Sequence, residues 1–263
     1  MKVELLNKAE IKNIYGNHGL FACTCYNTED KYADKVGKSC NESEHMSGSR
    51  CEYIKFRIYD ADRGTCEQLM RHELGVNYDE IDKYAYNDRI EIIIDVNPDN
   101  IVKNMQSFRY VDKNEFTYSI PTNITKSIKA LKEYENLMKI IDQSRKNIRD
   151  ILVEEGVCDY KQAVEDANYV LPRATNLTLT IGFTPEALIH FMHKRLCVRS
   201  QEFIRKIAIE MKKELSKIIP EFANELMPHC QHLLWCPEKR MSCGAYPTKA
   251  QLKDKLKKIE VNQ

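Results

Sequence analysis

The sequence predicts an α+β protein in which a few short strands are set among longer helices. Three observations carry that expectation. Apolar and polar residues alternate with period two over residues 52–59 and 177–183. Residues 124–155 contain no Gly or Pro and repeat apolar side chains at helical spacing. Strand and helix do not alternate regularly, and neither a GxGxxG turn nor a P-loop is present, which excludes a dinucleotide-binding Rossmann sheet.

Taken in order, residues 2–6 form a short apolar-alternating run. In 52–59, Ile54, Phe56 and Ile58 share one face and Lys55 and Arg57 the other. Asp60 is expected to cap a helix over 61–74 that carries Gln68, Arg71 and His72. Residues 89–96 are rich in β-branched side chains and read as a strand ended by Asn97-Pro98-Asp99-Asn100. Residues 124–155 read as one long amphipathic helix or two joined ones, with Ile128, Leu131, Leu137, Ile141, Ile148 and Leu152 as the apolar stripe. A helix over 159–171 is stopped by Pro172. Leu177, Leu179, Ile181 and Phe183 alternate as a strand, and Pro185 opens a helix running to about Cys197. A further helix over 200–219 ends at Pro220, and the Lys-rich residues 251–258 read as a solvated helix.

Lys and Arg total 40 against 39 Asp and Glu, a net charge of +1 over 263 residues. No global field favours nucleic acid. A hydrophobic content of 43% excludes a disordered chain, and 30% charged residues exclude a membrane bundle. Glu4, Asn7 and Lys8 interrupt the N-terminal apolar run, so a cytoplasmic location is expected. Nine Gly and eight Pro leave little material for a linker, which points to a single domain over 1–263. The ten cysteines read as reduced thiols.

Arg71-His72 and the segment Gln106-Ser107-Phe108-Arg109-Tyr110 bring together guanidinium, hydroxyl and amide groups, which suit an anionic, planar ligand such as a nucleotide. The plain alternative is surface arginines with a capping serine. The order and spelling resemble the flavin-dependent thymidylate synthases, whose signature runs Arg-His-Arg and then Asn-Glu-x-Ser-x-Arg-Tyr. Ala22 to Tyr26, His45-Met46-Ser47 followed by Glu52-Tyr53, and the stretches 166–172, 188–195 and 200–208 resemble further family segments in order. Cys236-Pro237-Glu238 with Met241-Ser242-Cys243-Gly244 resembles the tail of clostridial-type members.

The resemblance implies that family's fold, a mixed sheet with long helices, and flavin-dependent methylation of dUMP at C5 to give dTMP. FAD would be the cofactor, with methylenetetrahydrofolate and NADPH as co-substrates and a homotetramer as the assembly. It implies that Ser107 and Arg195 act at the reacting pyrimidine, and that Gln68, Gln106, Ser107, Arg109 and Arg195 hold the nucleotide. His45, Arg71, His72, Asn104 and His190 would face the flavin. No nucleic-acid or membrane partner is implied, and chemistry rests on orientation and electrostatics around the pyrimidine.

Several positions depart from the family pattern. Glu73 replaces the second arginine of the triplet, Met105 the glutamate of the second signature, and Tyr53 a histidine. Thr184-Pro185-Glu186 stands where the family has Asn-x-Arg, Thr178 stands where it has Arg or Lys, and an insert at about 76–103 interrupts the signature. These losses fall mostly on the flavin side. The alternatives are therefore another C5 modification such as hydroxymethylation, or a nucleotide-binding protein that has lost flavin catalysis. His229, Cys230, His232, Cys236 and Cys243 lie in a Cys/His-rich segment, 229–247, of irregular spacing without a paired CxxC, and no metal site is assigned from it.

Overall fold

A computed structural model describes residues 1–71, 101–107 and 116–253. The α+β expectation holds. Four strands, β1 (Lys2–Leu5), β2 (Ile54–Asp62), β3 (Ile101–Met105) and β4 (Asn176–Phe183), form one sheet in the order β1-β2-β4-β3. The sheet is antiparallel, where the resemblance implies a mixed one. Leu6 N donates to Lys55 O at 2.8 Å, Arg63 N to Thr175 O at 2.9 Å and Gln106 N to Thr178 O at 2.9 Å. β2 and β4 are neighbours without being consecutive, so the chain crosses over to place β3 beyond β4. β2 buries Ile54, Phe56 and Ile58 and exposes Lys55 and Arg57, as its period-two pattern dictates.

The chain divides into two compact units. One comprises Met1–Val3, Arg57–Met70 and Lys103–Thr180; the other comprises Glu4–Phe56, Arg71–Val102 and Ile181–Gln263.

In the first unit, β2 runs through Asp60, whose φ is 54°, so Asp60 does not cap the helix. Asp62 does: its carboxylate accepts from Thr65 N at 2.8 Å and Thr65 Oγ1 at 2.6 Å. The helix, α3 (Arg63–Met70), carries Gln68 but stops before Arg71. The 124–155 stretch is two helices, α4 (Thr122–Thr125) and α5 (Ile128–Glu154), because Ser127 breaks the run and caps α5 by accepting from Ala130 N. The face of α5 that packs is Tyr134, Met138, Ile141 and Arg145, against Phe116, Tyr118 and Leu171 or beneath Asn168. Ile128, Leu137 and Ile148 of the expected stripe are exposed instead, Ile128 by 75%. α6 (Tyr160–Ala167) is capped by Asp159 and followed by a turn, Asn168–Val170, before Pro172.

In the second unit, α1 (Ile14–Tyr26) and α2 (Ala33–Glu42) pack closely, two helices that periodicity did not reveal. Glycine makes the approach: a Cβ on Gly19 would lie 1.7 Å from Ala33 O, and one on Gly37 would lie 1.9 Å from Tyr15 O. α7 (Pro185–Arg195) begins with Pro in its first turn behind the Thr184 cap, as expected. α8 (Glu202–Ser216) is followed by α9 (Pro220–Glu225), so Pro220 starts a helix as well as ending one. α10 (His229–Leu233) follows, and helical residues recur at 249–253. Among the described residues no helix is long and apolar enough to cross a membrane. The expected strand at 89–96, its turn, and most of the 251–258 tail lie outside the described residues.

Candidate functional site

A cavity of about 460 Å³ in the first unit is lined by Arg63, Met105, Gln106, Ser107, Glu165, Asn168 and Tyr169. Two of the residues expected to hold a nucleotide, Gln106 and Ser107, thus share one wall, just beyond the end of β3. Gln106 is pinned twice to β4. Its backbone N–H donates to Thr178 O at 2.9 Å, and its side-chain Oε1 accepts from Thr178 N at 3.2 Å. Its amide NH₂ is then the end suited to donate to a ligand. Arg63 Nε donates to Glu67 Oε1 at 3.2 Å, so the guanidinium is held by α3 itself. Asn168 accepts from the buried Arg145 at 3.1 Å, and the Tyr169 ring is 84% exposed. A hydroxyl, an amide, a cation and an exposed ring suit a planar ligand with polar edges. Arg63, Glu165, Asn168 and Tyr169 escaped the sequence reading because they arrive from separate elements. Gln68, half-buried on α3, and Asn104, on the exposed face of β3, belong to the same unit but are not among the lining residues.

A second cavity, about 370 Å³, lies within the other unit between α1, α2 and the loop after α2. His18, Phe21, Ala22, Tyr26, Cys40, His45, Ser47 and Gly48 are among its walls. His45 is exposed and fixed by a 3.1 Å hydrogen bond between its Nδ1 and Tyr26 Oη. Its carbonyl lies 3.2 Å from the ring nitrogen Nε2 of buried His18, whose imidazole burial keeps below the usual histidine range. Glu52 accepts from Asn17 at 2.9 Å while its other oxygen is buried with no hydrogen-bond partner among the described residues. Burial raises the Glu52 carboxyl above the usual range.

His190 and Arg195 both lie on α7 and line neither cavity. His190 faces His193, with ring centroids 6.4 Å apart. Burial, then the nearby His229, His232 and His190, push the His193 imidazole down to about 3. Arg195 is half-buried, and its Nε has no hydrogen-bond partner among the described residues. Arg71 is exposed in the turn after α3. His72, Glu73, Arg109 and most of the 76–103 insert lie outside the described residues.

Two departures from the family pattern have structural roles here. Thr184 is buried and caps α7 through its hydroxyl, which accepts from Ala187 N at 3.3 Å. Glu186 accepts from Arg50 Nε at 2.8 Å and Nη2 at 3.5 Å, so the acid that replaces an arginine has an arginine partner from the loop that bears His45.

The chain matches the family described as "Thymidylate synthase complementing protein" over residues 17–221. It is 32% identical over 212 residues to the flavin-dependent thymidylate synthase of Nitratidesulfovibrio vulgaris, covering 80% of this chain and 76% of the relative. Similarity to the enzyme of the same name from Clostridium tetani is 34% over 146 residues, covering 53% and 58% of the two chains. For Thermococcus kodakarensis it is 29% over 190 residues, covering 70% and 64%.

Proposed function

The chain belongs to the flavin-dependent thymidylate synthase family, and on that premise we propose that this enzyme methylates dUMP at C5 to give dTMP. Methylenetetrahydrofolate donates the carbon, and NADPH restores the reduced flavin. The family match over residues 17–221 carries the reading, and the cavity that joins Gln106 and Ser107 supports it.

In this reading the nucleotide is held by the Gln106 amide and the Ser107 hydroxyl, and Gln68, Arg109 and Arg195 are assigned to it by the family resemblance alone. The pinning of Gln106 to β4 presents its NH₂ with little freedom to lose on binding. Ser107 and Arg195 act at the pyrimidine by orientation and by charge. A half-buried guanidinium with a spare buried N–H is suited to an electron-rich edge, since desolvation strengthens the contact.

The residues of the second cavity fit part of a flavin. A Cβ on Gly48 would lie 2.7 Å from His18 Cδ2, so only glycine lets the backbone lie so close to that ring, and imidazole and hydroxyl donors flank an apolar wall. His45 would hold FAD there, while Arg71, His72, Asn104 and His190 are assigned to the flavin by the family resemblance alone. When bound, FAD supplies the two-electron chemistry that no side chain of the protein offers. Assembly as a homotetramer is supported by the exposed Ile128, Leu137, Ile140, Ile148 and Ile151 of α5, more apolar surface than one helix usually leaves in water. A cytoplasmic location accords with ten free thiols.

The test is direct: purified protein with FAD, dUMP, methylenetetrahydrofolate and NADPH should yield dTMP by mass spectrometry. A flavin-retaining protein that makes a different C5 product would replace the methylation reading with the hydroxymethylation-type alternative, and no product at all would remove the enzyme reading.

A further inference from the structure

The segment after α9 presents a problem of stability. From residue 227 to 253 the one fully buried residue is Cys236, yet the chain takes a definite course. α10 ends at Leu234 with φ of 59°, Cys236 N donates to Pro247 O at 2.8 Å, and the path turns again at Gly244 with φ of 85°. A stretch with almost no apolar core is typically held by a covalent or metal crosslink. All ten cysteines are free, so no disulfide holds it.

Four of those thiols line one pocket. A pocket of about 20 Å³, room for a single ion or water, is lined by Cys197, Cys230, Cys236 and Cys243 together with His193, His229, Arg199 and Glu238. Cys197 comes from just beyond the end of α7, Cys230 from α10, and the other two from the following loops. His193 and His229 stack with centroids 5.0 Å apart, and His193 Nε2 is buried with no hydrogen-bond partner among the described residues.

We propose that Cys197, Cys230, Cys236 and Cys243 form a structural site for one zinc-class divalent cation, which ties the C-terminal segment to the end of α7. Four thiols lining one small pocket supply the donor type that zinc prefers. On binding, each thiol releases its proton to solvent as its sulfur–metal bond forms, and no electron changes hands. The resulting site bears two negative charges, which the Arg199 guanidinium and imidazole N–H donors on the same pocket wall offset. Among the described residues no group of three or more His, Cys, Asp or Glu side chains already forms a metal-holding cluster. Metal binding therefore requires the four thiols to draw together from their positions around the pocket, and Cys243 is the most exposed of them. The family match ends at residue 221, before three of the four ligands, and the proposal does not depend on the enzymatic reading.

The full chain should be purified without chelator and its metal content measured by elemental analysis after gel filtration. One zinc per chain is expected, and a zinc chelator should expose four additional thiols to a thiol reagent. Cys243→Ser should weaken Zn²⁺ binding by more than roughly 100-fold, beyond the range of an outer-shell change. Because Cys243 is exposed, this variant should keep its far-ultraviolet circular dichroism where Cys236→Ser does not. Protein that neither retains zinc nor takes it up from Zn²⁺ alone would overturn the proposal. So would zinc content untouched by Cys243→Ser and Cys230→Ser, or a disulfide between these cysteines found by non-reducing mass spectrometry of freshly isolated protein.

Discussion

Gly16 and Gly19 sit one helical turn apart on α1, and replacing each with alanine should move stability in opposite directions. Intrinsic propensity favours both changes by up to about 1 kcal/mol, because glycine in a helix loses more backbone freedom on folding. At Gly16 the three atoms nearest the new Cβ all belong to the Asn13 side chain, an exposed group that can rotate away. Gly16→Ala should therefore be neutral or stabilising. At Gly19 the Cβ would lie 1.7 Å from Ala33 O and 2.4 Å from its carbonyl carbon, and the backbone of α2 cannot turn aside. Ordinary contact begins at 3.4 Å, so the two helices must move apart by well over an ångström. Overpacking of that kind costs about 1–3 kcal/mol, and the gap it opens loses dispersion contacts along the whole α1–α2 seam. The net loss should be roughly 2 kcal/mol, or about 4–8 °C in Tm for a chain of this size. Thermal unfolding followed by circular dichroism measures it. Since α1 and α2 wall the cavity containing His45, flavin retained through gel filtration should fall in Gly19→Ala and hold in Gly16→Ala. Equal stability of the two variants would refute the close approach of α1 and α2.

Three further outcomes are expected. Arg145 is 1% exposed and donates to Asn168 at 3.1 Å and Asp142 at 3.0 Å, while Lys146 also pairs with Asp142 at 2.7 Å. Arg145→Ala should cost about 3 kcal/mol, the low end for a broken buried pair because Asp142 keeps a partner, and denaturant unfolding showing under 1 kcal/mol would contradict it. Glu225 is raised above the ordinary value of 4.5, by burial first, although the Tyr15 hydroxyl and Asn41 amide that donate to it pull the other way. The native state then holds this proton to higher pH than the unfolded chain, so its contribution to stability is lost as pH rises from 4.5 through the folded value. Glu225→Gln should flatten that decline, and an unchanged stability–pH slope would count against it. The Arg50–Glu186 pair is partly exposed, so a double-mutant cycle should give a coupling under about 1 kcal/mol. Glu186→Ala should nonetheless tighten FAD binding, read by quenching of flavin fluorescence, because it releases Arg50 beside the His45 loop; unchanged affinity would place neither side chain near the cofactor.

Local rules written in the sequence account for much of the fold. Alternation sets β2 and β4, Asp159 and Thr184 cap the helices that follow them, and Pro185 starts α7 where its missing N–H costs nothing. The family resemblance is likewise carried by short spellings in fixed order, and the family match bears it out. Where the reading fell short, the deciding interaction joins distant residues. Asp60 and Asp62 are equally good caps by composition, and the register of β2 against β4 extends the strand past the first and leaves the second at the helix start. α1 carries no clean apolar stripe because glycines, not large side chains, make its contact with α2.

The chain by itself determined class, family and the residues able to meet a nucleotide, since these depend on periodicity and on the order of chemical groups. Tertiary structure alone decided which of those groups share a wall. It joined Gln106 and Ser107 to Arg63 and Tyr169, gave Glu186 its arginine, and gathered Cys197 with cysteines more than thirty residues away. The reason is physical: a side chain's neighbours across the fold are set by packing and backbone register, which no local window of sequence contains.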